Sequence, residues 1–203
     1  MDAGTDVPLG LRERKKQETR DALSWAVIRL SVERGWENVT VEEVAAAAGV
    51  SERTFRNYFS GKADALASRH LDRMRRAADA LRARPADEPL WEAVAHAVTG
   101  EFGSGAPQGR AWTEAIRLLL TEPDVQAGFL KASTTAQHEL AAVVAERTGT
   151  DAARELYPNL VAAAIGAATG AAMEHWLRAD PPAELNTLMH EAFDRLTAGL
   201  PVP

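Results

Sequence analysis

Residues 40–59 read TVEEVAAAAGVSERTFRNYF, and this stretch decides the fold. Val41, Val44, Ala45 and Ala48 recur at helical spacing, which predicts a short helix over Val41 to Ala48 with one buried face. Thr40 stands ahead of it as the N-cap. Glu43, three residues on, completes a capping box that satisfies orphan backbone N–H groups. Gly49 stops the helix, because glycine takes a positive φ at little steric cost. Ser51 caps a second helix, Glu52 to Phe59, which turns Phe55, Tyr58 and Phe59 one way and Arg53, Arg56 and Asn57 another. Two short helices about a glycine-containing turn describe the helix-turn-helix unit, whose second helix enters the DNA major groove. The same residues also describe an ordinary pair of packed helices with a solvated polar face.

The neighbourhood separates these readings. A basic amphipathic helix comes first, then Glu33-Arg34-Gly35-Trp36, then TVEEVAAAAGVS and RTFRNYF, with Lys62 opening the next helix. Over residues 13–73 this order resembles the tetracycline-repressor (TetR) family of transcriptional regulators. Arg56, Gly61 and Ala63 depart from the residues usual there and leave the operator sequence open. The resemblance implies an all-α chain of about nine helices. It divides into a disordered arm (1–10), a helix-turn-helix DNA-binding domain (11–72) and a regulatory, ligand-binding and dimerisation domain (73–203). The residues expected to meet DNA are Thr40, Ser51, Arg53, Thr54, Arg56, Asn57, Tyr58 and Lys62.

Composition agrees. The chain has 203 residues and no cysteine, so it holds no disulfide, no thiolate metal site and no cysteine nucleophile. The opening MDAGTDVPLG lacks an apolar run, and the longest uncharged run, Leu156 to Met173, is mostly Ala and Gly; a cytoplasmic protein off the membrane is expected. Net charge is −6 but uneven: residues 1–84 sum to +3 and residues 85–203 to −9. Such asymmetry points to a nucleic-acid-facing part joined to an acidic body. Arg12, Arg14, Lys15 and Lys16, crowded at the start of the first helix, are the expected phosphate contacts. Lys62, at a helix N-terminus, is a further one.

In chain order, helices are expected over Leu11–Arg34, Lys62–Arg84, Pro89–Phe102, Arg110–Thr121, Pro123–Thr148, Asp151–Arg178 and Ala183–Ala198, besides the two short ones. Trp36 is expected under the loop into the second helix, Gly103–Gly109 as a flexible loop, and Pro158 as a kink near the start of the Ala-rich helix. The later segments LLLTEPDVQAGFL and EHWLRADPP look most like the mycofactocin-regulator (MftR-like) branch of the family.

Small residues recur every four positions in the Ala-rich helix, at Ala162, Gly166 and Gly170, with Ala163 beside them. They permit close approach by another helix, within one subunit or across a dimer. The resemblance favours a dimer, built from the last two long helices and including Leu188 and Phe193. A single helix-turn-helix also needs a two-fold partner to read a palindrome. Trp91, Phe102, Trp112, Phe129, Met173 and Trp176 are candidate walls of a ligand pocket between helices, or plain core. Few basic residues lie nearby, so the effector is expected to be largely apolar, or cationic and offset by acidic groups. MftR-like resemblance adds acyl thioesters.

Enzyme chemistry finds no support. His138-Glu139 and His190-Glu191 begin like a zinc-protease motif, but no second histidine follows at the required spacing. Gly103–Gly109 has neither the Lys nor the Ser/Thr of a phosphate loop. No cofactor or metal is expected. An architectural DNA binder would leave the acidic C-terminal part unexplained. The sequence therefore predicts a homodimeric repressor of a palindromic double-stranded operator, released by a small effector. A ligand-independent regulator or an activator is the alternative, and a helical-bundle enzyme a distant third.

Overall fold

The computed structural model describes residues 10–102, 110–180 and 183–202. Among these residues there are nine α-helices, one 3₁₀ turn and no strand, as expected of an all-α chain. The expectations for the N-terminal arm up to residue 9 and for the Gly103–Gly109 loop lie outside the described residues. The chain forms two compact units, Met1–Arg69 and His70–Pro203.

The first unit contains α1 (Leu11–Arg34), the 3₁₀ turn (Trp36–Asn38), α2 (Val41–Ala47), α3 (Glu52–Tyr58) and the start of α4 (Lys62–Ala83). The buried stripe of α1 is Leu23, Val27 and Leu30, and the helix stops at Gly35, whose φ of +83° suits glycine. Trp36 is buried beneath the entry to α2, as its position foretells.

The capping box of α2 is complete. The Glu43 N–H donates to Thr40 Oγ1 at 3.2 Å, and the Thr40 N–H donates to Glu43 Oε2 at 2.9 Å. Arg34 Nη1 reaches Glu43 Oε1 at 3.0 Å and ties the end of α1 to the same cap. At the other end Gly49 N–H donates to the Ala46 carbonyl and Val50 N–H to the Ala45 carbonyl, which satisfies the last turn. This reversal needs the φ of +70° at Gly49. Phe55 of α3 is fully buried and its ring centroid lies 5.7 Å from that of Phe59.

The second unit continues α4 and adds α5 (Leu90–Phe102), α6 (Arg110–Leu119), α7 (Pro123–Thr148), α8 (Leu156–Arg178) and α9 (Leu185–Thr197). α8 packs against α7 and α9, and α5 against α9. Their shared core joins Leu81, Val98, Val144, Ile165, Met189 and Phe193. Arg147 pins the chain between α4 and α5, donating to the carbonyls of Arg84 (3.2 Å), Pro85 (2.5 Å) and Glu88 (2.8 Å). The length and composition of α8 would suit a membrane span, and Val161, Ala162 and Ile165 are buried in the protein core.

α8 starts at Leu156 rather than at Asp151. Residues 151–155 form a turn in which Asp151 Oδ1 accepts the Ala153 N–H and Glu155 Oε1 accepts the Asp151 N–H. Pro158 therefore falls in the first helical turn, where no N–H is owed to the helix.

Removing the α2 cap should loosen the first unit alone. Thr40→Ala is expected to cost about 1 kcal/mol. Urea melts of wild type and mutant, followed by helical circular dichroism, check the shift in midpoint.

Candidate functional site

On α3, Arg53, Arg56 and Asn57 are exposed together, opposite the buried Phe55. Thr54 and Tyr58 are half-buried at the edges of that face. Arg56 is not idle. Its Nε and Nη2 contact Glu52 Oε1 at 2.9 and 2.6 Å, one turn back along the helix. Sequence reasoning passed over Glu52, although its i,i+4 spacing to Arg56 is the signal for such a pair.

The remaining expected DNA contacts divide. Ser51 Oγ accepts the Thr54 N–H at 3.1 Å, so Ser51, like Thr40, works as a helix cap. Arg12, Arg14, Lys15 and Lys16 lie exposed on the first turns of α1, Lys16 beside Glu13 at 3.4 Å. Lys62 is placed differently from expectation. Its ammonium donates to the carbonyls of Trp36 (2.6 Å) and Val39 (2.5 Å) and stands 4.4 Å from the Trp36 ring centroid. The lysine closes the loop before α2 by bonding two of its carbonyls, of which that of Trp36 also accepts the Val39 N–H.

The second unit holds a cavity of about 260 Å³ among α4, α5, α7 and α8. Of the candidate wall residues, Phe102, Phe129 and Met173 line it, and Trp91, Trp112 and Trp176 do not. Trp91 instead packs against the hydrophobic core. The polar lining was not foreseen: His70, Ser133, Gln137 and Thr169, with Glu174. A weak signal existed in Ser133 and Gln137, which stand four apart on α7 and interrupt its apolar face.

His70 stacks on Phe129 with ring centroids 5.6 Å apart, and Ser133 Oγ lies 3.3 Å from its Nε2. Burial disfavours the imidazolium, and the nearby Arg73 charge adds to the effect, so the His70 pKa falls to about 4. At neutral pH the imidazole is uncharged. Arg73 itself lies over the Phe102 ring at 4.6 Å.

The small residues of α8 also divide. Ala162 is buried, and a Cβ on Gly166 would come within 2.8 Å of Gln137 Nε2 on α7. Gly166 thus serves the α7–α8 contact within the chain. Of the other two candidates, Phe193 is buried in the core, and Leu188 is partly buried and packed against it. Ala163 and Gly170 are exposed.

Comparison with known proteins now bears on these sites. The family model described as bacterial regulatory proteins, tetR family, matches residues 26–68, and that of the MftR C-terminal domain matches residues 88–201. The chain is 32% identical over 196 residues to the HTH-type transcriptional regulator TcmR of Streptomyces glaucescens, covering 92% of this chain and 86% of that protein. Its fold is similar to that of the fatty acid degradation regulator FadR from Bacillus halodurans, with a TM-score of 0.59 at 18% identity over 91% of this chain and 97% of that one. It is likewise similar to Thermus thermophilus FadR, a transcriptional repressor solved with lauroyl-CoA, with a TM-score of 0.56 at 19% identity over 91% and 96%.

The buried imidazole gives a pH signature. Between pH 6.5 and about 4 the unfolded chain binds a proton that folded His70 refuses, so stability falls as the pH falls through this window. The loss should reach about 3 kcal/mol by pH 4. Denaturant melts across that range check it, and His70→Gln should remove this share of the slope.

Proposed function

We propose, from the premise that this chain belongs to the tetR family of bacterial regulatory proteins, that it is a homodimeric repressor. It would bind a palindromic operator in double-stranded DNA and leave it when a small effector enters the cavity. The family and its neighbours are transcriptional regulators, not enzymes. The observation that carries the reading is the exposed Arg53, Arg56 and Asn57 face of α3, held by a capped and buried helix-turn-helix. Arg56 would exchange Glu52 for a guanine edge. An exposed ion pair contributes about 0–1 kcal/mol, whereas a bidentate contact to a base is worth about 1–3 kcal/mol, so the exchange favours DNA.

Phosphate contacts would come from Arg12, Arg14, Lys15 and Lys16 and from the polar edge of α3, with Lys62 bracing the loop behind them. Dimerisation finds support in α8, which exposes Leu156, Leu160, Ala163 and Ala167 at helical spacing. Release would be a population shift: the effector binds better to the conformation whose recognition helices no longer match successive major grooves. α4 is the proposed hinge. It runs from Lys62 to the cavity residues His70 and Met74. A regulator of this kind works in the cytoplasm.

Two measurements test the reading. DNA selected from a random pool by wild type should show a two-fold symmetric site. Arg56→Ala should lose about 1–3 kcal/mol and relax preference at one position per half-site. Identical preferences for the two proteins would remove Arg56 from base reading.

Leu160→Glu should give a helical monomer in sedimentation and cost operator binding, since it sets a charge in the proposed interface. Gly166→Leu should keep the dimer and lower the melting temperature, because its added atoms meet Gln137 of the same protomer. A dimeric Leu160→Glu would place the interface elsewhere.

A further inference from the structure

One row of exposed residues on α8 runs into the cavity. Leu156, Leu160, Ala163, Ala167, Gly170 and Glu174 are all exposed, at steps of four and three residues in turn. Such steps average 3.5 residues, the repeat that keeps one seam of a helix against a second helix. Leu156 and Leu160 begin the seam at 76% and 58% exposure, so its first half is an uncovered apolar edge. Its last two members, Gly170 and Glu174, also line the cavity. There the cavity wall and the outer face of α8 are one continuous surface. Gly166 is filled from α7 by Gln137, whereas a Cβ on Gly170 would meet no atom within 4 Å among the described residues.

A two-fold axis can lay this seam on its own copy in two senses. Parallel pairing sets each residue on itself. Gly170 on Gly170 leaves a void, and Glu174 on Glu174 brings like charges together. Antiparallel pairing about a centre between Ala163 and Ala167 does the reverse. It sets the two alanines across from each other, where small side chains let the helix axes approach. It then carries Leu160 of the partner subunit opposite Gly170, and Leu156 of the partner subunit opposite the methylenes of Glu174. A large side chain falls where the seam is emptiest, as close packing requires.

We infer, resting on the dimeric and ligand-responsive reading above, that the second copy of the chain completes the cavity. Leu160 of the partner subunit fills the gap at Gly170 and forms part of the effector's wall. Each effector site is then made by two chains. An effector that touches the partner binds the dimer more tightly than the monomer and, by linkage, strengthens the dimer by the same factor.

The absence of cysteine from the sequence makes the pairing directly readable. Positions 160 and 170 lie about 15 Å apart along one helix, too far for a disulfide within a chain. Full-length Leu160→Cys/Gly170→Cys, oxidised with diamide, should therefore run as a covalent dimer on a non-reducing gel. Each single variant should run as a monomer on the same gel. Both positions accept the change, Leu160 being largely exposed and Gly170 open to a Cβ. Sedimentation of the same samples without oxidant separates the two readings. A monomer defeats the dimeric reading and the shared cavity with it. A dimer that forms no bridge, or one that Gly170→Cys alone bridges as well, keeps dimerisation and overturns the antiparallel placement.

Closure of the cavity has its own readout. Met173→Cys places a thiol in the cavity wall, and Ala93→Cys places one in the buried core outside the lining. Labelling by methyl methanethiosulfonate should quicken about tenfold at Met173→Cys when Leu160→Glu separates the subunits, and stay slow at Ala93→Cys. Equal rates at Met173→Cys in the dimer and in the Leu160→Glu monomer overturn the partner's share in the wall. A rise at both thiols marks a loosened fold, and the disulfide pattern then decides alone.

Discussion

Helices of seven residues do not hold themselves together in water, where the first turn costs more ordering than its hydrogen bonds return. Both α2 and α3 are that short. Their existence depends on burying Phe55, which is fully enclosed and stacks obliquely on Phe59. Truncating a phenylalanine in such a site costs about 3–5 kcal/mol, comparable with the whole stability of a small unit. The side chains of α3 that would face DNA are hung from this one ring. The caps at Thr40 and Ser51 settle where each helix begins, Gly49 settles the angle between them, and Lys62 anchors the preceding loop by its two carbonyls.

The second unit is built on the opposite device, atoms left out. Glycine inside a helix costs about 1 kcal/mol against alanine, yet α8 holds Gly166 and Gly170 one turn apart. Gly166 admits the Gln137 side chain, and Gly170, with Ala162, leaves room that no neighbouring side chain fills. The cavity is therefore a consequence of small residues on one face of α8 and polar ones opposite them on α7. Local rules of helix stability are broken at the place where the structure opens a space, which is the pattern expected of a functional site.

Sequence pattern reveals much of the first unit because its signals are local. A capping box, a glycine stop and an apolar stripe each report on a few consecutive residues, so the bounds of α1 and the cap of α2 follow directly. The second unit is less legible. α8 is Ala- and Gly-rich on every side, so periodicity does not tell which face meets α7 and which meets solvent; only tertiary packing turns Gly166 inward and Leu160 outward. Large aromatics attract attention as pocket walls, yet Trp91 has a core to fill while His70, Ser133 and Thr169 border the cavity. Lys62 shows the same limit. A cation at a helix start suggests an anion, and what it finds is a pair of backbone carbonyls that no local rule brings near it.

Charge counting misleads in a related way. The basic excess of residues 1–84 does not lie in the DNA-facing unit, for residues 1–69 hold 11 Lys+Arg against 11 Asp+Glu. It lies in the later part of α4, and there it is spent inside the second unit: Arg75 pairs with Glu139, Arg76 with Glu101, and Arg82 with Glu146. These pairs engage three of the 16 carboxylates of residues 85–203. A neutral first unit has no net attraction for a polyanion, so its affinity for DNA must come from placement. Arg12, Arg14, Lys15 and Lys16 gather at the start of α1 and Arg53 and Arg56 on α3, while Glu43 is turned into a cap and Glu52 lies against Arg56. Binding that depends on arrangement rather than on total charge gains less from non-specific phosphate attraction, and leaves a larger share of the discrimination to the three exposed side chains of α3.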